Sequence, residues 1–278
     1  MSVESQSLKF IAEIGLNHNG SIDSAKKHIE IAKECGADIA KFQNYFTETR
    51  AYDRGNSIIG EILNQCELSP DQFYELKNFC DDLEIQFAST PFCEKSAELL
   101  EQLNCSIIKV ASFHLSNEKL IRKILQYKSC KKLILSTGVS TSTQLMYVNN
   151  LYDECDHIKP DLSFLHCISE YPISKPSNFH LSNIKHIKRI TNKEVGFSDH
   201  SLGYKGPVYA TLLGASIIEK HFTLDNNLPG ADHSMSANPE VFKEMIEKCN
   251  EARLMIGTRR LNNIYDCEKG SLQFCVNS

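Results

Sequence analysis

The stretch FIAEIGLNHNGSIDSAKKHIEIAKECG, residues 10–36, decides the fold. Its apolar start predicts a strand over Phe10–Ile14. Ser21 then predicts a helix N-cap, and Gly36 predicts the end of that helix. Between them, apolar residues recur on one helical face at Ile22, Ala25, Ile29 and Ala32. The stretch is therefore one strand–helix unit.

The same alternation recurs along the chain. Further strands are predicted at Ile39–Phe42, Gln86–Ala88, Ile107–Val110, Leu133–Leu135, Leu162–Leu165, Glu194–Phe197 and Ser216–Glu219. Helical patterns follow near Asp71–Asp82, Glu94–Leu103, Asn117–Tyr127, Thr141–Leu151, Phe179–Ile190, Lys205–Leu213 and Pro239–Met255. Eight such units in about 250 residues predict an α/β fold, a closed (β/α)8 TIM barrel over residues 1–257. An open doubly wound sheet is the alternative, but no G-x-G-x-x-G follows the first strand.

Two stretches interrupt the alternation. Residues 44–69 and Asn226–Ala237 are polar excursions that follow predicted strand ends, where a barrel keeps its functional loops. Residues 258–278 show no clear periodicity and are predicted to be a C-terminal tail of unknown role.

Composition narrows the class of protein. The chain has 278 residues, 41% of them apolar and 23% charged, with a net charge of −5. We expect a globular cytoplasmic protein. It is not expected to bind nucleic acid, because the sequence has no excess of basic residues. It is not expected to bind a membrane or to be secreted, because there is no apolar signal core and no apolar run near the roughly 20 residues of a membrane helix. The eleven cysteines are scattered without a C-x-x-C motif, which predicts free thiols in a reducing compartment.

Polar side chains stand at the predicted strand ends. Lys41 and Lys109 interrupt otherwise apolar strands, and a buried lysine needs an anionic partner. We infer that the two lysines hold a phosphate or carboxylate ligand. Neutral hydroxyl donors at neighbouring strand ends would assist them: Thr90, Ser112 and Ser136. The alternative is that the lysines pair with Glu13 and Glu219 inside the barrel mouth.

Two histidines follow adjacent predicted strands. His200 and His221 are suited to a divalent metal whose other ligands are water and substrate. The alternative, that both are ordinary hydrogen-bonding groups, has about equal weight. The remaining histidines on predicted helices and connections are expected to be surface or satisfied residues: His28, His157, His180 and His186.

Eight stretches form an ordered set around these residues: IAEIGLNHNGS (11–21), GADIAKFQ (36–43), FASTPF (87–92), IKVASF (108–113), LSTGVST (135–141), LHCISEYP (165–172), VGFSDHSLG (195–203) and IIEKHFTLDNNLPGADHSMS (217–236). Over residues 10 to about 256 the chain resembles the N-acetylneuraminate (sialic acid) synthase family, including its legionaminic and pseudaminic acid branches. The resemblance implies a barrel transferase that condenses phosphoenolpyruvate with an N-acetylated amino sugar, giving a nonulosonic acid and phosphate. It also implies a divalent metal cofactor, typically Mn²⁺.

The same resemblance assigns roles residue by residue. It implies phosphoenolpyruvate contacts at Lys41, Thr90, Lys109, Ser112, Ser136 and Ser198. Further substrate contacts are expected at Gln43, Ser169 and Tyr171, and metal ligands at His200 and His221. Lys109 is expected to balance the charge of the departing phosphate. Glu13 is expected to activate water, with Asp232 as the second candidate.

Two features depart from the family pattern. His114 stands where the family usually carries an acidic residue. The chain ends at Ser278, where family members usually continue into a C-terminal antifreeze-like domain, so that domain is expected to be absent. Arg259 and Arg260 are candidates to replace its arginine, and a homodimer is possible.

Two questions of function stay open at this point. The alternative to a synthase is an impaired homologue that binds phosphoenolpyruvate or sugar in a regulatory role. For a synthase, the acceptor is either N-acetylmannosamine or a 2,4-diacetamido-6-deoxy hexose. Residues 44–69 are expected to face this sugar.

Overall fold

Parallel strands close into a barrel in the order in which they occur in the chain. The structure is a computed structural model that describes residues 8–49, 57–156, 158–257 and 264–275. Its eight strands are β1 Lys9–Gly15, β2 Ile39–Asn44, β3 Gln86–Pro91, β4 Ile107–Val110, β5 Lys132–Ser136, β6 Asp161–Cys167, β7 Glu194–Asp199 and β8 Ile217–His221. Each pairs with the next, and β8 pairs with β1. The predicted TIM barrel is confirmed.

Helices surround the strands. Within the described residues they are α1 Ile22–Glu34, α2 Ser57–Cys66, α3 Pro70–Asp82, α4 Glu94–Gln102, α5 Glu118–Leu125, α6 Ser142–Asp153, α7 Asn183–Thr191, α8 Lys205–Leu212 and α9 Pro239–Ile256. The Ser21 side chain caps α1 by accepting from the Ser24 amide, as predicted. Because the cap satisfies an amide that the first turn leaves unpaired, it fixes where the helix begins.

The barrel interior is layered along the strands. One layer is apolar and takes one residue from each of seven strands: Ile11, Ile39, Ala88, Ile107, Ile134, Leu165 and Ile217. Two positions later on the same strands stand Glu13, Lys41, Thr90, Lys109, Ser136, Cys167 and Glu219. Because side chains alternate between the two faces of a strand, these polar residues share the interior face with the apolar layer. The apolar layer closes the barrel beneath them, and the polar layer faces the open end.

The first polar excursion contains a helix that the sequence analysis did not predict. Of residues 44–69 the structure describes 44–49 and 57–69, and these include the ten-residue helix α2. The helix lies over the mouth of the barrel, on the side of β1 and β2. Its apolar residues Ile59, Ile62, Leu63 and Cys66 recur at helical spacing, a signal that the polar flanks obscured. The second excursion contains a short 3₁₀ helix, His233–Met235.

The structure also bears on the predicted strand ends. Most strands run further toward their carboxyl ends than predicted, because polar residues of the interior layer continue the ladder.

The prediction that His28 is a surface or satisfied residue is wrong, because the side chain is fully buried and its Nε2 has no partner among the described residues. Its Nδ1 lies 2.7 Å from the Ser24 carbonyl oxygen. Its burial follows from its place on the inner face of α1. His180 is exposed and His186 half-buried, while His157 lies outside the described residues.

The remaining sequence predictions concern thiols, the membrane and the tail. All eleven cysteines fall within the described residues and are free thiols. None of the described helices combines the length and the apolar character that crossing a membrane requires. Residues 264–275 contain an exposed 3₁₀ helix, Asp266–Phe274. Arg259 and Arg260 lie outside the described residues. The domain division at residue 257 and the cytoplasmic location stay predictions.

Candidate active site

A cavity of about 900 Å³ opens at the carboxyl ends of the strands. Every residue predicted for the site lines it except Ser169. Those residues are Glu13, Lys41, Gln43, Thr90, Lys109, Ser112, Ser136, Tyr171, Ser198, His200, His221 and Asp232. The volume is within the range of small-molecule sites. The structure therefore brings residues from all parts of the chain to one cavity.

Three buried ion pairs among Lys41, Lys109, Glu13 and Glu219 form the bottom of the cavity, and we call these four residues the cavity floor. Lys41 Nζ lies 2.5 Å from Glu13 Oε2 and 3.6 Å from Glu219 Oε2. Lys109 pairs with Glu219 from the other side. The alternative prediction of lysine–glutamate pairing is thus observed, and it leaves both ammonium groups facing the cavity.

The two glutamates of the cavity floor differ in acidity. Burial raises the pKa of Glu13, although the neighbouring Lys41 ammonium opposes the shift. Burial acts in the same direction on Glu219, but Lys109 and Lys41 outweigh it and hold its pKa at about 2. Glu219 therefore stays ionised, and the two lysines that line the cavity offer cationic donors beside it. Such a floor can accept an anion.

Hydroxyl groups stand beside the lysines. Lys41 Nζ donates to Thr90 Oγ1 at 3.3 Å, and Ser198 Oγ donates to Glu219 Oε1 at 2.9 Å. Gln43 Nε2 donates to Glu13 Oε1 at 3.4 Å. The Ser136 hydroxyl is buried and has no partner within the described chain. A buried hydroxyl without a partner costs free energy, so Ser136 is suited to a ligand atom.

A second hydroxyl cluster surrounds Gly138. Its amide donates to Ser112 Oγ at 3.0 Å, and Ser112 Oγ lies 3.0 Å from Cys167 Sγ. A Cβ built on Gly138 would lie 2.5 Å from Ser169 Oγ, so only glycine fits there. Ser169 thus lies beside Gly138, and its buried hydroxyl has no hydrogen-bond partner within the described chain.

The two predicted metal ligands face each other on neighbouring strand ends. The rings of His200 and His221 have centroids 5.8 Å apart. His200 Nδ1 lies 2.7 Å from the Ile168 carbonyl oxygen. Because a carbonyl only accepts, Nδ1 carries the proton and Nε2 keeps its lone pair. Tyr171 stacks on the His200 ring with centroids 4.1 Å apart, which fixes the orientation of that ring.

Both histidines are in the protonation state that metal binding requires. Burial lowers the pKa of His200 to about 3 and also lowers the pKa of His221, so both rings are neutral at pH 7, the form that binds metal. His221 Nδ1 is buried without a hydrogen-bond partner in the described structure and lies 3.6 Å from Asp232 Oδ2. No group of three or more His, Cys, Asp or Glu side chains in the described ranges has the geometry of a metal site. The two neutral rings are compatible with the predicted divalent cation, which would need its remaining ligands from substrate or water, and the metal stays a prediction.

Asp232 is held in place by the loop between β8 and α9. Asn226 Nδ2 donates to the carbonyl oxygens of His233 and Ser236, each at 2.8 Å. Asn17 Nδ2 donates to Ser236 Oγ at 2.9 Å, which joins this loop to the one after β1. The NHNG motif therefore supports the loop that carries Asp232.

Sequence reasoning missed the apolar side of the cavity. Its unpredicted lining residues are Leu16, Ile59, Leu63, Phe92, Ala111, Phe113, Asn117 and Cys167. The helical spacing of Ile59 and Leu63 was the available signal. His114 also lines the cavity, with its ring edge against Phe92 at a centroid distance of 5.7 Å.

Comparison with known proteins gives the family. Residues 28–260 match the NeuB family. The chain is 42% identical over 248 residues to an uncharacterized protein of Methanocaldococcus jannaschii, covering 89% of this chain and 72% of that protein. It is 35% identical over 274 residues to N,N'-diacetyllegionaminic acid synthase of Legionella pneumophila, covering 89% and 73%.

A solved structure with a related sequence has the same fold. The crystal structure of N-acetylneuraminic acid synthetase from Leptospira borgpetersenii, in complex with citrate, superposes with a TM-score of 0.88 at 29% identity. The match covers 96% of this chain and 91% of that one. The matched family extends over most of the barrel and over every predicted site residue except Glu13. The chain belongs to the NeuB family.

Proposed function

We propose that the protein condenses phosphoenolpyruvate with an N-acetylated amino sugar, giving a nonulosonic acid and phosphate. The observation that carries the proposal is the pair of buried lysines, Lys41 and Lys109, in a cavity that also holds Glu13 and two neutral histidines. Membership of the NeuB family and the synthases among its relatives support the same chemistry.

Phosphoenolpyruvate binds at the cavity floor. Its carboxylate and phosphate are both anionic and need cationic and hydroxyl donors. Lys41 and Lys109 supply the charge, while Thr90, Ser112, Ser136 and Ser198 supply hydroxyl groups. Because Ser136 Oγ is buried without a partner in the described structure, a ligand oxygen would satisfy it.

The reaction forms one carbon–carbon bond and replaces the bond from C2 to the phosphate oxygen by a bond from C2 to a water oxygen. C3 of phosphoenolpyruvate attacks the aldehyde carbon of the open-chain sugar, whose oxygen takes up a proton and becomes a hydroxyl group. Water then adds at C2 and gives its proton to Glu13, whose raised pKa suits a group that takes up a proton. The C2 hydroxyl group then gives its proton to the departing phosphate as the bond from C2 to the phosphate oxygen breaks, so C2 becomes the ketone carbon. Phosphate leaves with its remaining charge balanced by Lys109.

A divalent cation, Mn²⁺ in this proposal, would be held by His200 and His221. When bound, it supplies Lewis-acid polarisation of the acceptor's aldehyde oxygen. Tyr171 orients the His200 ring by stacking, and Gln43 orients the Glu13 carboxyl group through its hydrogen bond. Ser169, whose buried hydroxyl has no partner in the described structure, is a substrate contact in this proposal.

Phosphate release tests the proposal. Protein stripped of metal is mixed with phosphoenolpyruvate, Mn²⁺ and one amino sugar at a time, and free phosphate is measured. We expect release that depends on both sugar and metal. Binding of phosphoenolpyruvate without any release would instead favour an impaired homologue with a binding role. Sedimentation of the same protein tests the predicted homodimer.

A further inference from the structure

One side of the cavity is lined by hydrocarbon. We call this surface the apolar wall; it consists of Leu16, Ile59, Leu63, Phe92 and Phe113. Ile59 and Leu63 are four positions apart on α2 and so lie on one helical face. Ile59 is 41% exposed and Phe113 is 69% exposed. Large apolar side chains that remain open to a cavity favour an apolar ligand group.

Packing contacts and a hydrogen bond hold the apolar wall in place. Leu16 and Leu63 belong to a small buried cluster with Tyr45 and Cys66, separate from the main core. The Tyr45 hydroxyl donates to the Leu63 carbonyl oxygen at 2.9 Å. These contacts fix the position of α2 over the cavity, so Ile59 is held at the rim.

Most of the apolar wall lies across the mouth from the two histidines and Tyr171. Its residues follow β1, β2, β3 and β4, whereas Tyr171, His200 and His221 stand at the ends of β6, β7 and β8. In a closed barrel of eight strands, β2–β4 face β6–β8. An acceptor whose aldehyde carbon points to the histidines therefore places its far substituents against the wall.

We propose that the apolar wall selects an amino sugar with apolar substituents at its far end, a 2,4-diacetamido-6-deoxy hexose. This inference rests on the proposed function. A deoxy methyl group or an acetamido methyl group gains contact with Ile59 and Phe113 when it leaves water. A hydroxymethyl or phosphate group at the same place would lose its hydration against hydrocarbon. N-acetylmannosamine and its 6-phosphate are thus the poorer acceptors.

The test compares the turnover of two acceptor sugars in the unchanged protein and in variants of two neighbouring isoleucines. The readout is the ratio of kcat/KM for 2,4-diacetamido-6-deoxy-mannose to kcat/KM for N-acetylmannosamine, measured by phosphate release. We expect a ratio of at least about ten for the unchanged protein, since apolar contacts discriminate by about this factor. Ile59→Asn should lower the ratio about four- to tenfold. Ile58→Asn is the matched control, because Ile58 is 68% exposed on the same helix and does not line the cavity.

The outcomes separate this inference from the proposed function. A ratio of one or less, faster turnover of N-acetylmannosamine 6-phosphate, or equal effects of both substitutions would overturn the wall's role while leaving a synthase. No release with any acceptor would overturn the proposed function. In that case calorimetry measures the binding of each acceptor in the presence of phosphoenolpyruvate. Tighter binding of the diacetamido sugar, lost in Ile59→Asn, supports the role of the apolar wall. Equal binding of the two sugars contradicts it.

Discussion

Lys109 and Glu219 form a buried ion pair across the barrel mouth, although 110 positions separate them in the sequence. Their strands, β4 and β8, lie on opposite sides of the closed barrel. Burial alone would lower the pKa of Lys109, but the Glu219 and Glu13 carboxylates outweigh it and raise that pKa. Both members of the pair are therefore charged at neutral pH, and each depends on the other.

Loss of Lys109 should affect both activity and stability. Lys109→Met leaves the Glu219 charge buried with only Lys41 nearby, which should lower the free energy of unfolding by about 3–5 kcal/mol. Phosphate release should fall at least about 100-fold, because the leaving phosphate loses its cation. Urea unfolding and the phosphate assay measure the two effects.

Two controls separate the effects. Lys109→Met combined with Glu219→Gln removes both charges and should regain much of the stability without regaining activity. Lys132→Met breaks a partly exposed ion pair with Glu194 at the opposite end of the barrel and should leave phosphate release nearly unchanged. Equal loss of activity in Lys132→Met and Lys109→Met would argue against a role for Lys109 in the reaction.

His221 is expected to decide metal affinity. After treatment with a chelator, the unchanged protein should bind Mn²⁺, whereas His221→Ala should bind it at least about tenfold more weakly, since one of two neutral imidazole ligands is gone. Calorimetric titration with Mn²⁺ measures this without reference to turnover. His186→Ala, on α7 and far from the cavity lining, serves as the control. Unchanged affinity in His221→Ala would reject the two-histidine site.

The cavity floor was predictable from the sequence because its residues contrast with their neighbours. Lys41 and Lys109 each follow apolar residues in a strand, and a charged residue in such a run stands out. Pairing with Glu13 could also be anticipated, because the β1–β2 register sets Glu13 directly beside Lys41. Strand order and alternation thus suffice to place the polar layer.

The apolar wall could not be found in the same way. Ile59, Phe92 and Phe113 have the same chemistry as core residues, and nothing local in the sequence distinguishes a side chain facing a cavity from one facing the core. The position of α2 depends on contacts with Tyr45, at the start of the same segment, and with Leu16 from the loop after β1. Such packing appears only once the barrel has closed.

Close approach of backbone to backbone explains the glycine of the NHNG motif. Gly20 has φ +78°, and a Cβ there would lie 2.0 Å from the Gln65 carbonyl oxygen at the end of α2. Gly203 has a similar φ of +70° but nothing within 4 Å of the same position. Gly203→Ala should cost only the backbone strain, about 1–2 kcal/mol. Gly20→Ala should cost clearly more and should also lower turnover, because α2 is displaced. Urea unfolding measures the difference, and equal costs would contradict the clash.

Asn226 is expected to keep the loop of Asp232 in place. Asn226→Ala leaves the carbonyl oxygens of His233 and Ser236 without this donor, which should lower the free energy of unfolding by about 1–3 kcal/mol and raise KM. Asn227→Ala is the matched control, since Asn227 is exposed and its side chain bonds only to Asp225 within the described structure. Limited proteolysis should cut the loop faster in Asn226→Ala alone. Similar cleavage of both variants would show that the two hydrogen bonds do not hold the loop.

Burial of His28 should make stability depend on pH. Burial lowers its pKa from 6.5 to about 4, and the neighbouring His233 shifts it in the same direction. Between these two values the unfolded chain binds a proton that the folded protein excludes, so stability is full above pH 6.5 and falls as the pH approaches 4. The loss between pH 7 and pH 5 should be on the order of 1–2 kcal/mol for this residue.

Urea unfolding at pH 7 and pH 5 measures this loss. His28→Gln should shrink the difference in unfolding free energy between the two pH values by that amount, because glutamine does not titrate. His186→Gln, on the outside of α7, should leave the difference unchanged. A His28→Gln protein with the full pH dependence would place the titration on other buried histidines, such as His18, whose pKa burial also lowers to about 4. An NMR titration of the His28 ring then locates its proton directly, and a native pKa near 6.5 would contradict the cost of charging His28 in the folded protein.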